Sequence, residues 1–151
     1  MLHSRPGYTL TEMVTVMVMV AVLTALTAPK LHGVTSNAGL RAARQQTAIY
    51  MAEARQAAVQ RGREARFVRS GNLIKVTVDS SGTQVAVAPA YDLYREHGVT
   101  LSASRDSIQF DPRGFAIGLS STEQVHLTRA GLRDSVCVTK FGKVIPQGCS
   151  L

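Results

Sequence analysis

What lies between Met13 and Ala28 constrains this chain more than anything else in it. No charged residue occurs there, and the only polar ones are Thr15, Thr24 and Thr27. Extended back to Tyr8, the stretch is 21 residues long and carries one charge, Glu12. A helix rising about 1.5 Å per residue would make it about 30 Å long, the thickness of a bilayer's hydrocarbon core. Val14, Val16, Val18, Val20 and Val22 alternate as in a strand. The residues between them are mostly apolar too, however, and a lone strand in lipid leaves its backbone unpaired. A helix is therefore expected. A carboxylate inside it costs about 2.5–3.5 kcal/mol on insertion scales if it sits at the centre. Glu12 thus marks a function and calls for a positive partner.

An ordinary signal peptide and a plain signal anchor are the competing readings. Ahead of Tyr8, Arg5 is the only formal charge. A secretory signal wants small residues at alternate positions before its cut, and Leu26 breaks that pattern in Ala25-Leu26-Thr27-Ala28-Pro29. A plain anchor has no use for Glu12. If Arg5 holds the leader inside, the rest of the chain is exported.

The chain has 151 residues and a formal net charge of +7, a length that suits one modest domain on one helix. The excess is uneven. Residues 8–69 hold eight Lys and Arg against Glu12, Glu53 and Glu64, whereas residues 70–151 hold eight against seven Asp and Glu. The basic surplus therefore sits on the helix and its exit, and the rest is nearly neutral.

Beyond Pro29 the helix is expected to continue, with weak points at His32-Gly33 and Asn37-Ala38-Gly39. From Leu40 to about Arg61, the residues Leu40, Ala43, Thr47, Tyr50 or Met51, Ala54, Ala57 and Ala58 recur at three- and four-residue steps. That stripe is predicted to lie on a sheet, with Arg41, Arg44 and Arg55 outside it. Arg61-Gly62 reads as the helix end. Strands follow at 65–69, 73–78, 84–88, 99–103, 107–110, 115–119, 125–128, 135–139 and 142–145. Asp79 to Gly82, Asp111 to Gly114 and Arg129 to Asp134 are turns. Pro89 to Gly98 is a loop pinned by Tyr91 and Tyr94.

No enzyme constellation is present. His3, His32, His97 and His126 are scattered, and there is no HExxH, GxSxG or Walker loop. Asp92 with Glu96, and Asp106 with Asp111, read as solvated turn carboxylates, too sparse for a calcium site. No cofactor or metal is expected.

Gly7-Tyr8-Thr9-Leu10-Thr11-Glu12, followed by the unbroken apolar run, resembles the class III signal of type IV prepilins and pseudopilins. The resemblance implies that a membrane-bound prepilin peptidase cuts between Gly7 and Tyr8 and that Tyr8 becomes N-methylated. Glu12 is then the fifth residue of the mature chain. In the family the glutamate there attracts the N-terminal ammonium of a neighbouring subunit as the fibre assembles. Opposite charges attract strongly in a low dielectric and offset their burial. Pro29 falls where many pilins carry a proline.

Further along, Ala54-Arg55-Gln56-Ala57-Ala58-Val59-Gln60-Arg61-Gly62 with Phe67-Val68 is similar to the helix end of the minor pseudopilins of the GspH/FimT family. Ile108 to Gly114 looks like that family's phenylalanine, turn and glycine. Val136-Cys137-Val138 with Phe141-Gly142-Lys143-Val144 resembles its closing hairpin.

The implied fold is α+β, the type IV pilin fold: a long N-terminal helix, transmembrane in its first half, packed on an antiparallel sheet. Its parts would be a leader at 1–7, a transmembrane and assembly helix at 8–28, a helix continuation on the sheet at 29–63, and a β domain at 64–151. The implied function is a minor pilin or pseudopilin that primes or caps a type IV pilus or type II secretion pseudopilus. It would be single-pass in the bacterial inner membrane with its β domain outside the cytoplasm. Its partners would be the prepilin peptidase, inner-membrane lipid and other pilins. The alternative is a DNA-binding minor pilin for natural transformation. The family's basic motif, glycine-arginine-any-arginine, survives in Gly142-Lys143-Val144-Ile145 only at Lys143. Lys140, with Arg129 or Arg133, would complete a small patch, and phosphate contacts there would be salt-sensitive.

Pilin-like proteins often close a C-terminal loop with a disulfide, which implies a Cys137–Cys149 bridge worth about 3 kcal/mol on a chain-entropy model. The other reading is two buried thiols. The two cysteines are too far apart for CxxC and no His lies between them, so zinc is not expected.

Overall fold

The computed structural model describes residues 9–146 and Cys149, with the side chains of residues 26–34 outside the description. Helix α1 runs Leu10–Arg61, and its helical assignment passes through both expected weak points. The chain divides into two compact units, Met1–Thr35 and Ser36–Leu151.

In the second unit the three- and four-residue stripe behaves as its spacing requires. Leu40, Ala43, Thr47, Tyr50, Met51, Ala54, Ala57 and Ala58 are all buried. Thr47 is buried without cost to its hydroxyl, because Oγ1 donates to the Ala43 carbonyl at 2.8 Å. Arg61 is the last helical residue and Gly62 follows in the left-handed region (φ 60°), the cap expected there.

Two antiparallel sheets cover the stripe. Strands β1 (Ala65–Ser70), β2 (Leu73–Ser80), β3 (Thr83–Ala86), β6 (Ser107–Phe110) and β7 (Ala116–Ile117) run β3-β2-β1-β6-β7. The two-residue strand β4 (Tyr91–Asp92) shares an edge of β2 with β3. The second sheet is β10 (Val144–Ile145), β9 (Leu132–Val138), β8 (Glu123–Arg129) and β5 (Thr100–Ala103), in that order. Main chain links the sheets: Ala116 N donates to the Lys140 carbonyl at 3.1 Å, and Leu101 N to the Asn72 side chain at 3.0 Å.

Inward residues of both sheets join the helical stripe in one core. Phe67, Phe110, Met51, Ile74, Leu93 and Leu127 are its largest fully buried side chains. Each such side chain contributes roughly 1.5–3 kcal/mol when buried.

Several local expectations need correction. The strands expected at 115–119 and 142–145 shrink to Ala116–Ile117 and Val144–Ile145, each beginning just after a positive-φ glycine turn at Gly114 or Gly142. The Asp79 to Gly82 and Arg129 to Asp134 turns are tighter than expected; β2, β8 and β9 are longer, whereas β3 starts one residue earlier and ends at Ala86 instead of Ala88. Ser81-Gly82 and Ala130-Gly131 both take positive φ, which makes two-residue turns of the kind that match strand twist. Pro89 to Gly98 is not all loop. After β4 it forms the one-and-a-half-turn helix α2 (Leu93–His97), capped by Asp92, whose side chain accepts from Tyr94 N and Arg95 N, and closed by Gly98. Finally, Tyr91 pins this segment but Tyr94 does not. Tyr91 packs on Tyr50 and its hydroxyl meets His97 Nε2 at 2.9 Å, whereas Tyr94 is exposed.

The Tyr50 hydroxyl donates to the Pro89 carbonyl at 2.9 Å. Burial raises the pKa of Tyr50 above 10.0, helped by Glu53 and Tyr91. Burial and Glu96 raise that of Tyr91. A group whose folded pKa exceeds its unfolded value contributes stability that is complete below the unfolded pKa and is lost as pH rises through the folded one. Stability should therefore drop more steeply above about pH 10 in the wild type than in Tyr50→Phe/Tyr91→Phe. Denaturant midpoints between pH 8 and 11.5 check this; parallel curves would refute it.

Candidate functional site

In the first unit the apolar run presents itself outward. Described side chains from Leu10 to Leu23 are exposed, Leu10 at 80% and Met17 at 74%. Its polar groups are turned inward on the helix itself. Thr15 Oγ1 donates to the Thr11 carbonyl and Thr24 Oγ1 to the Val20 carbonyl, both at 2.8 Å. Thr9 caps the helix: Glu12 N donates to its carbonyl at 3.1 Å and lies 3.3 Å from its Oγ1. Thr9-Leu10-Thr11-Glu12 has the spacing of a capping box, of which only the Thr9 half is made.

The result is a helical surface whose hydroxyls ask nothing of the surroundings. The Glu12 carboxylate is exposed and has no ion pair or hydrogen bond among the described residues. Gly7 and Tyr8 lie outside the described residues, as does the leader. Among the described residues no helix is long and apolar enough to cross a membrane; the side chains of the run are described only as far as Ala25.

In the second unit α1 is fastened to the sheets by two arginines outside the buried stripe. Arg44 pairs with Asp134 at 2.8 Å, both side chains 20% exposed. Arg55 Nε donates to the Gly114 carbonyl at 3.1 Å.

The loop between β9 and β10 closes on that second contact. Gly142 N donates to the Thr139 carbonyl at 2.8 Å, and Thr139 N to the Lys143 carbonyl at 3.0 Å. A Cβ on Gly142 would run into the Gly114 carbonyl and meet Arg55 Nε. The phenylalanine-turn-glycine segment, the closing hairpin and the helix therefore touch at one point.

Lys140 and Lys143 are both exposed in this loop. Lys140 Nζ lies 5.2 Å from the Phe141 ring centroid, within cation–π range, and Phe141 stands edge-on to Phe115 at 6.3 Å. Lys143 and Arg55 flank a cleft of about 530 Å³ floored by Ala52, Val59 and Val144. Arg129 and Arg133 are not part of this patch. They sit at the β8–β9 turn, the far end of that hairpin, where the Arg129 guanidinium lies over Gly39. Arg55 takes their place beside Lys143. Its spacing within the helix carries no sign of this, and only the glycines opposite hint at a close approach.

Cys137 and Cys149 form a disulfide with Cα atoms 5.9 Å apart, tying the segment after β10 back to β9. The turn carboxylates have structural work: Asp106 pairs with Arg69, Asp111 accepts from Arg113 N and Phe115 N, and Asp92 caps α2.

A helix laid on antiparallel sheets, with the closing loop locked against the β6–β7 turn, is a type IV pilin-like fold. The same fold is seen in the type IV minor pilin FimU of Pseudomonas aeruginosa strain PAO1. One crystal form matches with a TM-score of 0.62 over 74% of this chain and 90% of that one, at 16% identity. A second crystal form gives 0.58 over 70% and 90%, also at 16% identity. No curated protein matches the sequence. The family described as "Type II transport protein GspH" matches residues 38–142, and this chain belongs to that family. It is thereby placed among the pilin and pseudopilin structural subunits.

The contact at Gly142 is open to test. Gly142→Ala combines a clash with the Gly114 carbonyl and a residue at φ 73°, and should cost roughly 1–3 kcal/mol. Lys143→Ala, next to it but exposed, should stay within about 0.5 kcal/mol. Equal denaturation midpoints for the two variants would contradict the packing described.

Proposed function

We propose that this chain is a minor pilin or pseudopilin that is cut between Gly7 and Tyr8, methylated on Tyr8, and built into a fibre by its N-terminal helix. The parts divide as 1–7 leader, 8–28 membrane and assembly helix, 29–63 helix continuation, and 64–151 β domain. Prepilin peptidase processes it. Inner-membrane lipid holds residues 8–28 before assembly, with the β domain on the extracytoplasmic side, and other pilins replace the lipid in the fibre. It primes or caps a type IV pilus or a type II secretion pseudopilus.

The observation that carries this reading is the contrast inside the first turns of α1. Every described hydroxyl there is matched within the segment, and the Glu12 carboxylate is not. In an apolar bundle the methylated ammonium of Tyr8 on an adjacent subunit supplies the missing charge. The test is twofold. The intact mass of protein from native membranes should show loss of Met1 to Gly7 and one added methyl group. Glu12→Ala should be cut and remain folded, yet fall at least tenfold in the sheared or detergent-extracted fibre fraction. An uncut chain, or undiminished incorporation of Glu12→Ala, would overturn the proposal.

A second reading, DNA capture, draws on the regrouped patch. Lys140, Lys143 and Arg55 surround exposed Phe141 and Phe115, the combination of cations and aromatic faces that single strands bind. Retention of the protein on single-stranded DNA should then fall steeply between 50 and 200 mM salt and be lost in Lys140→Gln/Lys143→Gln. Absent or salt-insensitive retention would exclude it.

A further inference from the structure

The solvent face of the first sheet holds a cationic group that neither reading uses. The short turn between β1 and β2 places Arg66 opposite Thr77 and Val68 opposite Lys75, and β6 sets Ser107 opposite Val68. Residues opposed in antiparallel strands share a face, and diagonal neighbours come within about 7–8 Å. Arg66 and Lys75 are such neighbours, two positive charges side by side on a half-buried surface.

Neither forms an ion pair among the described residues. Arg66 Nε is buried with no hydrogen-bond partner, as are Arg44 Nε and Arg69 Nε, but those two guanidiniums each reach a carboxylate through another nitrogen and Arg66 does not. The carboxylates nearby are already engaged. Asp106 accepts from Arg69, Asp79 accepts from Gly82 N, and Glu64 accepts from the Gln109 amide.

Arg66 and Lys75 line a concavity of about 260 Å³ together with Gln84 and Ser107. Thr77 Oγ1 donates to Gln84 Oε1 at 2.9 Å, which occupies the amide oxygen and leaves the Gln84 NH₂ as donor. The concavity thus sets two cations and two neutral donors around a largely apolar wall that includes Val68. Its one carboxylate, Asp106, is already neutralised by Arg69. Such a set is satisfied by an acceptor with several oxygens and a negative charge.

We propose that this concavity binds an oxyanion of the carboxylate or phosphate class, with Arg66 and Lys75 as charge partners and Gln84 and Ser107 as neutral donors. The anion is either free in solution or the side-chain carboxylate of another protein subunit. The fixed fork of Arg66 suits two adjacent oxygens. The site is on a different element from Glu12 and the closing loop, so it stands or falls apart from the assembly proposal.

The test uses the full chain in zwitterionic detergent micelles, followed by the NMR signal of the Arg66 Nε–H. One arm is titrated with inorganic phosphate and the other with N-acetylglutamate amide, at low and at tenfold higher sodium chloride. A saturable shift is expected in at least one arm. Half-saturation should weaken at least tenfold in Lys75→Gln and at high salt, and remain unchanged in Lys143→Gln. Saturation by phosphate alone identifies a free phosphate, saturation by the glutamate analogue alone identifies a side-chain carboxylate, and saturation by both identifies a general oxyanion site. Linear shifts in both arms, or the same response in Lys75→Gln as in wild type, would overturn it. Lys75 is half-buried and outside the core, the circular dichroism of Lys75→Gln checks that its fold is kept, and the wild-type titration decides the matter even without variants.

Discussion

The close seat of one helical stripe under two sheets is the constraint on which the β domain depends. Ala43, Thr47, Ala54, Ala57 and Ala58 are buried and small, and the larger volume comes from the sheet side through Phe67, Phe110, Ile74 and Leu127. Interiors are close-packed, and an extra methylene on such a helix face has nowhere to go without moving strands. This arrangement lets a core with few aromatics and no Trp hold its strands. It also fixes where Arg44 and Arg55 emerge, and therefore where the helix can be pinned to Asp134 and to the Gly114 carbonyl.

The same helix solves the opposite problem nearer its N-terminus. There the apolar residues face outward and the chain removes polar demands by returning the threonine hydroxyls to carbonyls one turn back. In water this would bring little, since water can satisfy both groups. In an apolar setting it removes a penalty for each hydroxyl. Glu12 cannot be silenced that way, because no donor in its own turn neutralises a full charge. Among the described polar side chains of the segment, Glu12 is thus the one left without a partner.

Much of this was legible in the sequence because it rests on local rules. The three- and four-residue spacing of Leu40 to Ala58 reports a helix face directly, and Arg61-Gly62 reports its end. The hairpins were legible as pairs but not in width, since Ser81 and Ala130 adopt left-handed turns that residues of their kind rarely enter. Helix α2 was missed because five residues give too little periodicity, although Asp92 and Gly98 mark both its ends. Patch membership was the least legible. Lys143 was named from the Gly-Lys pattern, but its neighbour Arg55 lies far away in sequence, and Arg129 belongs elsewhere because the β8–β9 hairpin carries it to the other end. Contacts between remote segments depend on how sheets pack, which single-residue patterns do not encode.

The arginines show how the structure separates fastening from binding. Arg44 and Arg69 each meet a carboxylate, and Arg55 meets a carbonyl; all three spend a cation on holding one element to another. A half-buried pair of this kind is worth keeping when it fixes register, since its Coulomb gain is largely offset by desolvation. Arg66 and Lys75 fix nothing by charge. They sit in mid-strand, where backbone pairing already sets the register, and their mutual repulsion works against the sheet. Lysine or glutamine at Arg66 could lie over the same surface without a buried, unpaired Nε. Arg44 and Arg69 carry the same unpaired Nε, but their guanidiniums also meet a carboxylate, and that of Arg66 meets none. Its geometry makes sense once a carboxylate or phosphate completes the set of donors that Arg66, Lys75, Gln84 and Ser107 already present.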